Sequence, residues 1–100
     1  MEIRDLTAAM HQMVEAKGWY RPDSPRQQTP KNIAASLVIE AAEVLEHFQW
    51  REQTQDQEEL GAELADVLLY LLQLASVTGI DLEQATLQKI ERNYQRRWES

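Results

Sequence analysis

The chain has 100 residues, which fits a single domain, and it contains no cysteine, which excludes disulfides, thiolate metal sites and cysteine nucleophiles. Its 17 acidic and 10 basic residues give a net charge of -7, which argues against a basic surface for a nucleic-acid polymer. An acidic protein can still bind a polyphosphate when a divalent cation lies between its carboxylates and the phosphates.

The first residues lack the apolar segment that is typical of a signal peptide. The most apolar stretch, 62–77, is interrupted by Glu63 and Asp66 and is shorter than a transmembrane helix requires. We therefore expect a cytoplasmic protein that does not associate with membranes.

Apolar residues at helical spacing predict a first helix over about 3–17, which Gly18 ends. The following segment contains Pro22 and Pro25 and is typical of an irregular loop. Thr29 and Pro30 then form a start signal, a hydroxyl N-cap before a proline in the first turn. They predict a second helix over about 30–50.

A third helix is predicted over about 56–77, with Gly79 after its end. Asp81 with Gln84 three residues later resembles a capping box for a fourth helix. That helix ends in a basic segment, which suits the negative end of a helix dipole. No strand pattern is present, so we expect an all-α fold resembling a four-helix bundle, a single domain over 1–100 with antiparallel neighbours.

Two pairs of acidic residues lie on the second and third helices. Glu40 and Glu43 form one pair, and Glu63 and Asp66 form the other. Each pair has i, i+3 spacing, so both carboxylates project from one face of their helix. If the two helices are antiparallel neighbours, the four carboxylates face each other.

Four converging like charges repel strongly unless some protonate or a cation neutralises them. Oxygen ligands favour magnesium, manganese or calcium, and magnesium combines carboxylates with substrate phosphate oxygens. Asp66 lies in an apolar run, where an unpartnered carboxylate is costly. A di-iron bundle needs Glu-x-x-His, but Ala8 and Val44 precede the two histidines at that distance.

The strings TPKNIAASLVIEAAEVLEHFQW, ELADVLLYLLQLA and KIERN surround these pairs, with nineteen residues between Glu43 and Glu63. Together they resemble the all-alpha NTP pyrophosphatase superfamily, in its MazG-like branch that includes the dCTP pyrophosphatase type. The resemblance covers residues 29–98. One i, i+3 pair is weak evidence, whereas the two pairs within these strings are specific.

The resemblance implies that Glu40, Glu43, Glu63 and Asp66 bind Mg²⁺, or Mn²⁺, and that one glutamate orients or deprotonates the attacking water. It places one group of side chains near the phosphates: Lys31, Asn32, Lys89, Asn93 and Arg96. It places Trp50 and Tyr70 at the base. The alternatives are solvated helix positions for the polar residues, a core position for Tyr70 and a bundle-end position for Trp50.

The family fold implies a Mg²⁺-dependent hydrolase that converts a (d)NTP to a (d)NMP and pyrophosphate, as in house-cleaning of noncanonical nucleotides. It also implies a homodimer or homotetramer. Two alternatives within the superfamily are a phosphoribosyl-ATP pyrophosphohydrolase and a dimeric dUTPase, and a third is a non-catalytic helical interaction module. Gln28 replaces a histidine that dCTP-type enzymes often carry before the second helix, so the base preference stays open.

Overall fold

The computed structural model describes residues 2–96, which form four α-helices and no strand. The helices are α1 (Ile3–Ala16), α2 (Pro30–Glu46), α3 (Gln57–Val77) and α4 (Leu82–Gln95). The prediction of an all-α chain with four helices is confirmed. The last residues of the resembling segment, Arg97 and Trp98, lie outside the described part of the chain.

Local capping chemistry explains where α2, α3 and α4 begin. The hydroxyl of Thr29 accepts a hydrogen bond from the backbone N–H of Asn32 at 3.2 Å. The carboxylates of Asp56 and Asp81 each accept one from the backbone N–H three residues later, at 3.0 Å. Each side chain thus satisfies an N–H that has no partner within its helix.

Glycines end α1 and α3 as predicted. Gly18 has a φ of 74° and Gly79 a φ of 75°, a left-handed conformation that glycine adopts without steric cost. The next residue then donates back into the helix, from Trp19 to the carbonyl of Val14 and from Ile80 to the carbonyl of Ala75. These bonds give helix carbonyls partners that they would otherwise lack.

Helix α2 is shorter than predicted, because it ends at Glu46 rather than at about residue 50. His47 continues into turns and bonds both Thr54 and Glu63, which ties the chain down at the helix end. Trp50 has a φ of 68°, a conformation that costs a non-glycine residue about 1–2 kcal/mol. Its side chain is 93% exposed, so it does not close the end of a bundle within the chain.

The core lies where α3 packs between α1 and α2. Met10 and Val14 of α1 meet Leu72 of α3 in its centre, and Ile33 of α2 is also buried. Helix α4 contributes Leu82 to the edge of this cluster, but none of its residues is buried. The chain therefore forms three packed helices with the fourth extending from them.

Many apolar side chains on α2, α3 and α4 stay exposed. The largest exposures on α4 are those of Leu87 at 61% and Tyr94 at 84%. At 21 residues, α3 is long and apolar enough to cross a membrane, by length and composition only. The prediction of no transmembrane helix rested on the apolar stretch 62–77, which is shorter than α3. In this structure α3 is the central helix of the fold, packed on α1 and α2.

Candidate functional site

The packing of α2 against α3 brings the two acidic pairs into one electrostatic environment. Burial raises the pKa of Glu40 above its ordinary value of 4.5, and repulsion by Glu43, hydrogen bonding with Glu43, and repulsion by Asp66 and Glu63 raise it further. The pKa of Glu40 therefore depends on the other three carboxylates, two of which lie on the neighbouring helix. Such a shift is the response expected of acids that share a site.

Glu63 has a partner that the sequence analysis did not assign. Its Oε2 lies 2.6 Å from Nε2 of His47, and both side chains are largely buried, at 15% and 12% exposure. The other ring nitrogen of His47 lies 2.7 Å from the hydroxyl of Thr54. His47 thus fixes the orientation of Glu63. It follows Glu43 by four residues on the chain, which is the signal that would have placed it beside the acidic pairs.

The four carboxylates interact without forming a closed coordination sphere. Across residues 2–96, no three acidic or histidine side chains lie close enough together to constitute a metal site. One oxygen of Glu63 is instead engaged by His47 at 2.6 Å. The donor set nevertheless suits a hard divalent cation, since it is all oxygen and carries excess negative charge that such a cation would neutralise.

Glu40→Gln is expected to stabilise the protein in EDTA. Removing repulsion from Glu43 alone should contribute about 0.2–0.5 kcal/mol. Because the folded-state pKa of Glu40 is raised, stability is lost as pH rises from 4.5 through that raised value. The melting temperature of the variant should therefore exceed that of the wild type more at pH 8 than at pH 4.

The matched control is Glu58→Gln, which removes an exposed charge from the first turn of α3. A negative charge there is favourable, so this variant should gain no stability at high pH. Equal pH profiles for Glu40→Gln and the wild type would contradict a shared electrostatic environment.

A cavity of about 460 Å³ opens beside Asp66 between α1, α2, α3 and the loop over 17–29. Asp66, Tyr70 and Gln73 line it from one face of α3, since they are spaced i, i+4 and i+7. Asn32 lines it from α2 and Trp19 from the loop. The cavity therefore has one carboxylate, that of Asp66, together with aromatic and amide walls, which suits a ligand with a charged part and a planar part.

The loop that forms one wall is held by several polar contacts. Nε2 of Gln27 donates to the carbonyl of Ser24 at 2.6 Å, and the hydroxyl of Ser24, a buried residue, accepts from the backbone N–H of Arg26. The guanidinium of Arg26 lies 5.2 Å from the centre of the Trp19 ring, within the range of a cation–π contact. The ring of Trp19 is thus held in the cavity wall.

The predicted substrate-binding residues fall into two groups. Asn32 and Tyr70 line the cavity, and Lys31 is exposed next to Asn32 at the start of α2. Trp50 lies outside the cavity, Lys89 and Asn93 lie on the exposed α4, and Arg96 follows the last residue of that helix. Lys89 and Asn93 are spaced i, i+4, so they share one face of α4. Within one chain the structure brings the first group to the site and leaves the second group apart.

Gln73 and Gln28 line the cavity but were not among the predicted site residues. Gln73 appeared in the sequence as an interruption of an apolar run, yet its spacing from Asp66 and Tyr70 places it on their helix face. Gln28 was noted only as a replacement for histidine, and it contacts Gln73 across the cavity wall. For Gln73 the available signal was its position as a polar residue at i+3 from Tyr70 and i+7 from Asp66, both predicted site residues.

The model of the MazG-like family matches residues 35–99 of the chain. The chain is similar to dCTP pyrophosphatase 1 of Mus musculus, with 38% identity over 76 residues, 67% of this chain and 45% of that protein. The protein of the same name from Homo sapiens is 36% identical over the same shares. The chain thus spans about half the length of these curated relatives.

The fold is similar to the crystal structure of a pyrophosphatase from Archaeoglobus fulgidus. The TM-score is 0.74 at 36% sequence identity, and the match covers 92% of this chain and 88% of that one. The similarity therefore includes helices on both sides of the cavity as well as the segment matched by the family model.

Proposed function

Because the chain belongs to the MazG-like family, we propose that it hydrolyses a nucleoside triphosphate to the monophosphate and pyrophosphate. The observation that carries this proposal is the set of four interacting carboxylates, one of which, Asp66, also lines an aromatic-lined cavity. The dCTP pyrophosphatase relatives and the archaeal pyrophosphatase support the reaction class.

Glu40, Glu43, Glu63 and Asp66 would hold a divalent cation, Mg²⁺ or Mn²⁺. When bound, such an ion supplies charge neutralisation at the phosphates and makes a water more acidic. The repulsion from the other three carboxylates that helps to raise the pKa of Glu40 would be relieved when a cation binds the four side chains. His47 would orient Glu63 through its 2.6 Å contact, which engages one carboxylate oxygen and leaves the other for a cation.

The substrate chain of phosphates would lie at the acidic end of the cavity, next to Asp66. Lys31 and Asn32 are at the start of α2, where the helix dipole also favours anions. The base would lie farther along α3, between the rings of Trp19 and Tyr70, which line the same cavity. Hydrolysis breaks the bond between the α- and β-phosphates, and release of pyrophosphate leaves the monophosphate.

The protein would act as a homodimer or homotetramer. Leu87, Ile90 and Tyr94 of α4 are exposed at i, i+3 and i+7, a pattern typical of a helix face that packs on another protein surface. A second copy would also bring Lys89, Asn93 and Arg96 of its own α4, together with its Trp50, towards a site. House-cleaning of noncanonical nucleotides and a cytoplasmic location remain predictions from the sequence.

Divalent cation binding is expected to raise the melting temperature of the wild type. A ligand that binds only the folded state at 100 times its Kd stabilises that state by about 2.7 kcal/mol. Thermal unfolding with increasing MgCl₂ or MnCl₂, with CaCl₂ for comparison, measures the effect and ranks the ions. Glu43→Gln should reduce the shift, whereas Glu58→Gln should keep it.

The activity is tested by incubating the protein with MgCl₂ and a panel of canonical and modified NTPs and dNTPs, then separating the products. Monophosphate and pyrophosphate in equal amounts are expected. Hydrolysis of phosphoribosyl-ATP alone, or of dUTP alone, would move the chain to one of the other branches of the superfamily. Absence of turnover, combined with no thermal shift by any ion, would favour the non-catalytic interaction module.

A further inference from the structure

Gln73 is a buried polar side chain on the cavity face of α3. It is 2% exposed and lies seven residues after Asp66 on the same helix face. Seven residues of α-helix correspond to about 10 Å along the axis. Gln73 is therefore displaced from the acidic end of the cavity towards the part in which the proposed function places the base.

The orientation of the Gln73 amide follows from its contact with Gln28, whose own amide is oriented by a carbonyl oxygen that can only accept. Nε2 of Gln28 lies 2.6 Å from the backbone carbonyl oxygen of Arg26, which only accepts, so Gln28 directs its N–H there. Oε1 of Gln28 then faces Gln73 at 2.8 Å and needs a donor. Nε2 of Gln73 supplies it, which leaves only one orientation of the Gln73 amide compatible with both bonds.

A second chain of hydrogen bonds holds the other N–H of Gln73. Nε2 of Gln73 donates to the hydroxyl oxygen of Tyr20 at 3.3 Å. The Tyr20 hydroxyl lies 2.6 Å from Nδ1 of His11, and Nε2 of His11 lies 2.7 Å from the hydroxyl of Ser76. Burial raises the pKa of Tyr20, which keeps its O–H available to donate to His11.

These contacts use both N–H groups of Gln73 and leave its carbonyl oxygen without a protein partner. Throughout residues 2–96, every fully buried side-chain nitrogen or oxygen has a hydrogen-bond partner. Oε1 of Gln73 has none, so part of the small accessible surface of Gln73 belongs to this oxygen, and Gln73 lines the cavity. The cavity wall therefore presents an oriented hydrogen-bond acceptor at the level of the base.

We propose that Gln73 determines base specificity by accepting a hydrogen bond from an exocyclic amino group, with Tyr20 and His11 as positioning residues. This inference rests on the proposed nucleotide substrate. A base with an amino group, such as cytosine or adenine, offers the N–H that the acceptor needs. A keto group at the same position, as in uracil or hypoxanthine, places two acceptors against each other, and an unmatched buried acceptor is costly.

The test compares substrates that differ only by amino and keto groups: dCTP with dUTP, and ATP with ITP. The wild type should have the higher kcat/KM for the amino member of each pair that it hydrolyses. Gln73→Leu, which keeps a similar side-chain volume and removes the acceptor, should lower this ratio by about tenfold or more. An equal loss for both members of a pair, or an unchanged ratio, would overturn the assignment.

Tyr20→Phe keeps the ring, frees one N–H of Gln73 and leaves the Gln73 carbonyl in place. It should lower the same ratio by a smaller factor, because the Gln73 amide is then held by its bond to Gln28 alone. If Gln73→Leu does not unfold cooperatively, Tyr20→Phe still provides a test of the inference. A change in melting temperature with an unchanged ratio would show that Tyr20 acts only in stability, and it would overturn the positioning role.

Binding of dCMP and dUMP, measured by calorimetry on the same proteins, separates this inference from the proposed reaction. Preference for dCMP that depends on Gln73, without hydrolysis of any triphosphate, would support the role of Gln73 and overturn the hydrolase. Hydrolysis with an unchanged kcat/KM ratio in Gln73→Leu would support the hydrolase and overturn the role of Gln73. If the protein neither binds these monophosphates nor hydrolyses a triphosphate, both the role of Gln73 and the proposed reaction are overturned.

Discussion

Glu43→Gln is expected to lower the rate of pyrophosphate release by at least about 100-fold, the range in which a positioned acid or base contributes to catalysis. Glutamine keeps the shape of the side chain and removes its charge. Glu43 lies on α2 one turn from Glu40, and its carboxylate contributes to raising the pKa of Glu40. The change therefore removes one proposed cation ligand and also alters the proton affinity of its neighbour.

The measurement is steady-state release of pyrophosphate with saturating MgCl₂, on the best substrate from the panel. Glu58→Gln makes the same chemical change at an exposed position outside the site and should retain full activity. Circular dichroism and thermal unfolding verify that both variants keep their helices. Full activity in Glu43→Gln would show that the acidic pairs are not required for the reaction.

Leu87→Glu is expected to dissociate the proposed homo-oligomer into monomers and to lower activity by at least about tenfold, since donors to the phosphates contribute at least that much. Leu87 is 61% exposed within the chain and lies on the apolar face of α4. A charge left without a partner in a buried interface costs about 3–5 kcal/mol. The loss of activity follows because Lys89, Asn93 and Arg96 would no longer be held against a neighbouring site.

Light scattering coupled to size-exclusion chromatography gives the mass of each variant. Gln88→Glu is the matched control, because it adds the same charge to the exposed α4 outside the stripe of Leu87, Ile90 and Tyr94. It should keep both the mass and the activity of the wild type. A wild type that is monomeric and fully active at all concentrations would contradict the proposed homo-oligomer.

The sequence was sufficient for features that depend on neighbours a few residues away. Thr29 and Asp81 cap their helices as predicted, and Gly18 and Gly79 end theirs, because capping involves groups within one helical turn. The helical period likewise places the members of each acidic pair on one face. Even the pairing of α2 with α3 followed from the short connection between them.

Only the tertiary structure decided the features that join distant parts of the chain. The contact of His47 with Glu63 spans 16 residues, and that of Gln73 with Gln28 spans 45. The separation of α4 from the other helices and the exposure of Trp50 also depend on packing. Periodicity determines which side of a helix a residue occupies, whereas the hydrogen-bond partner that it meets there depends on how the helices and the loop are arranged in space.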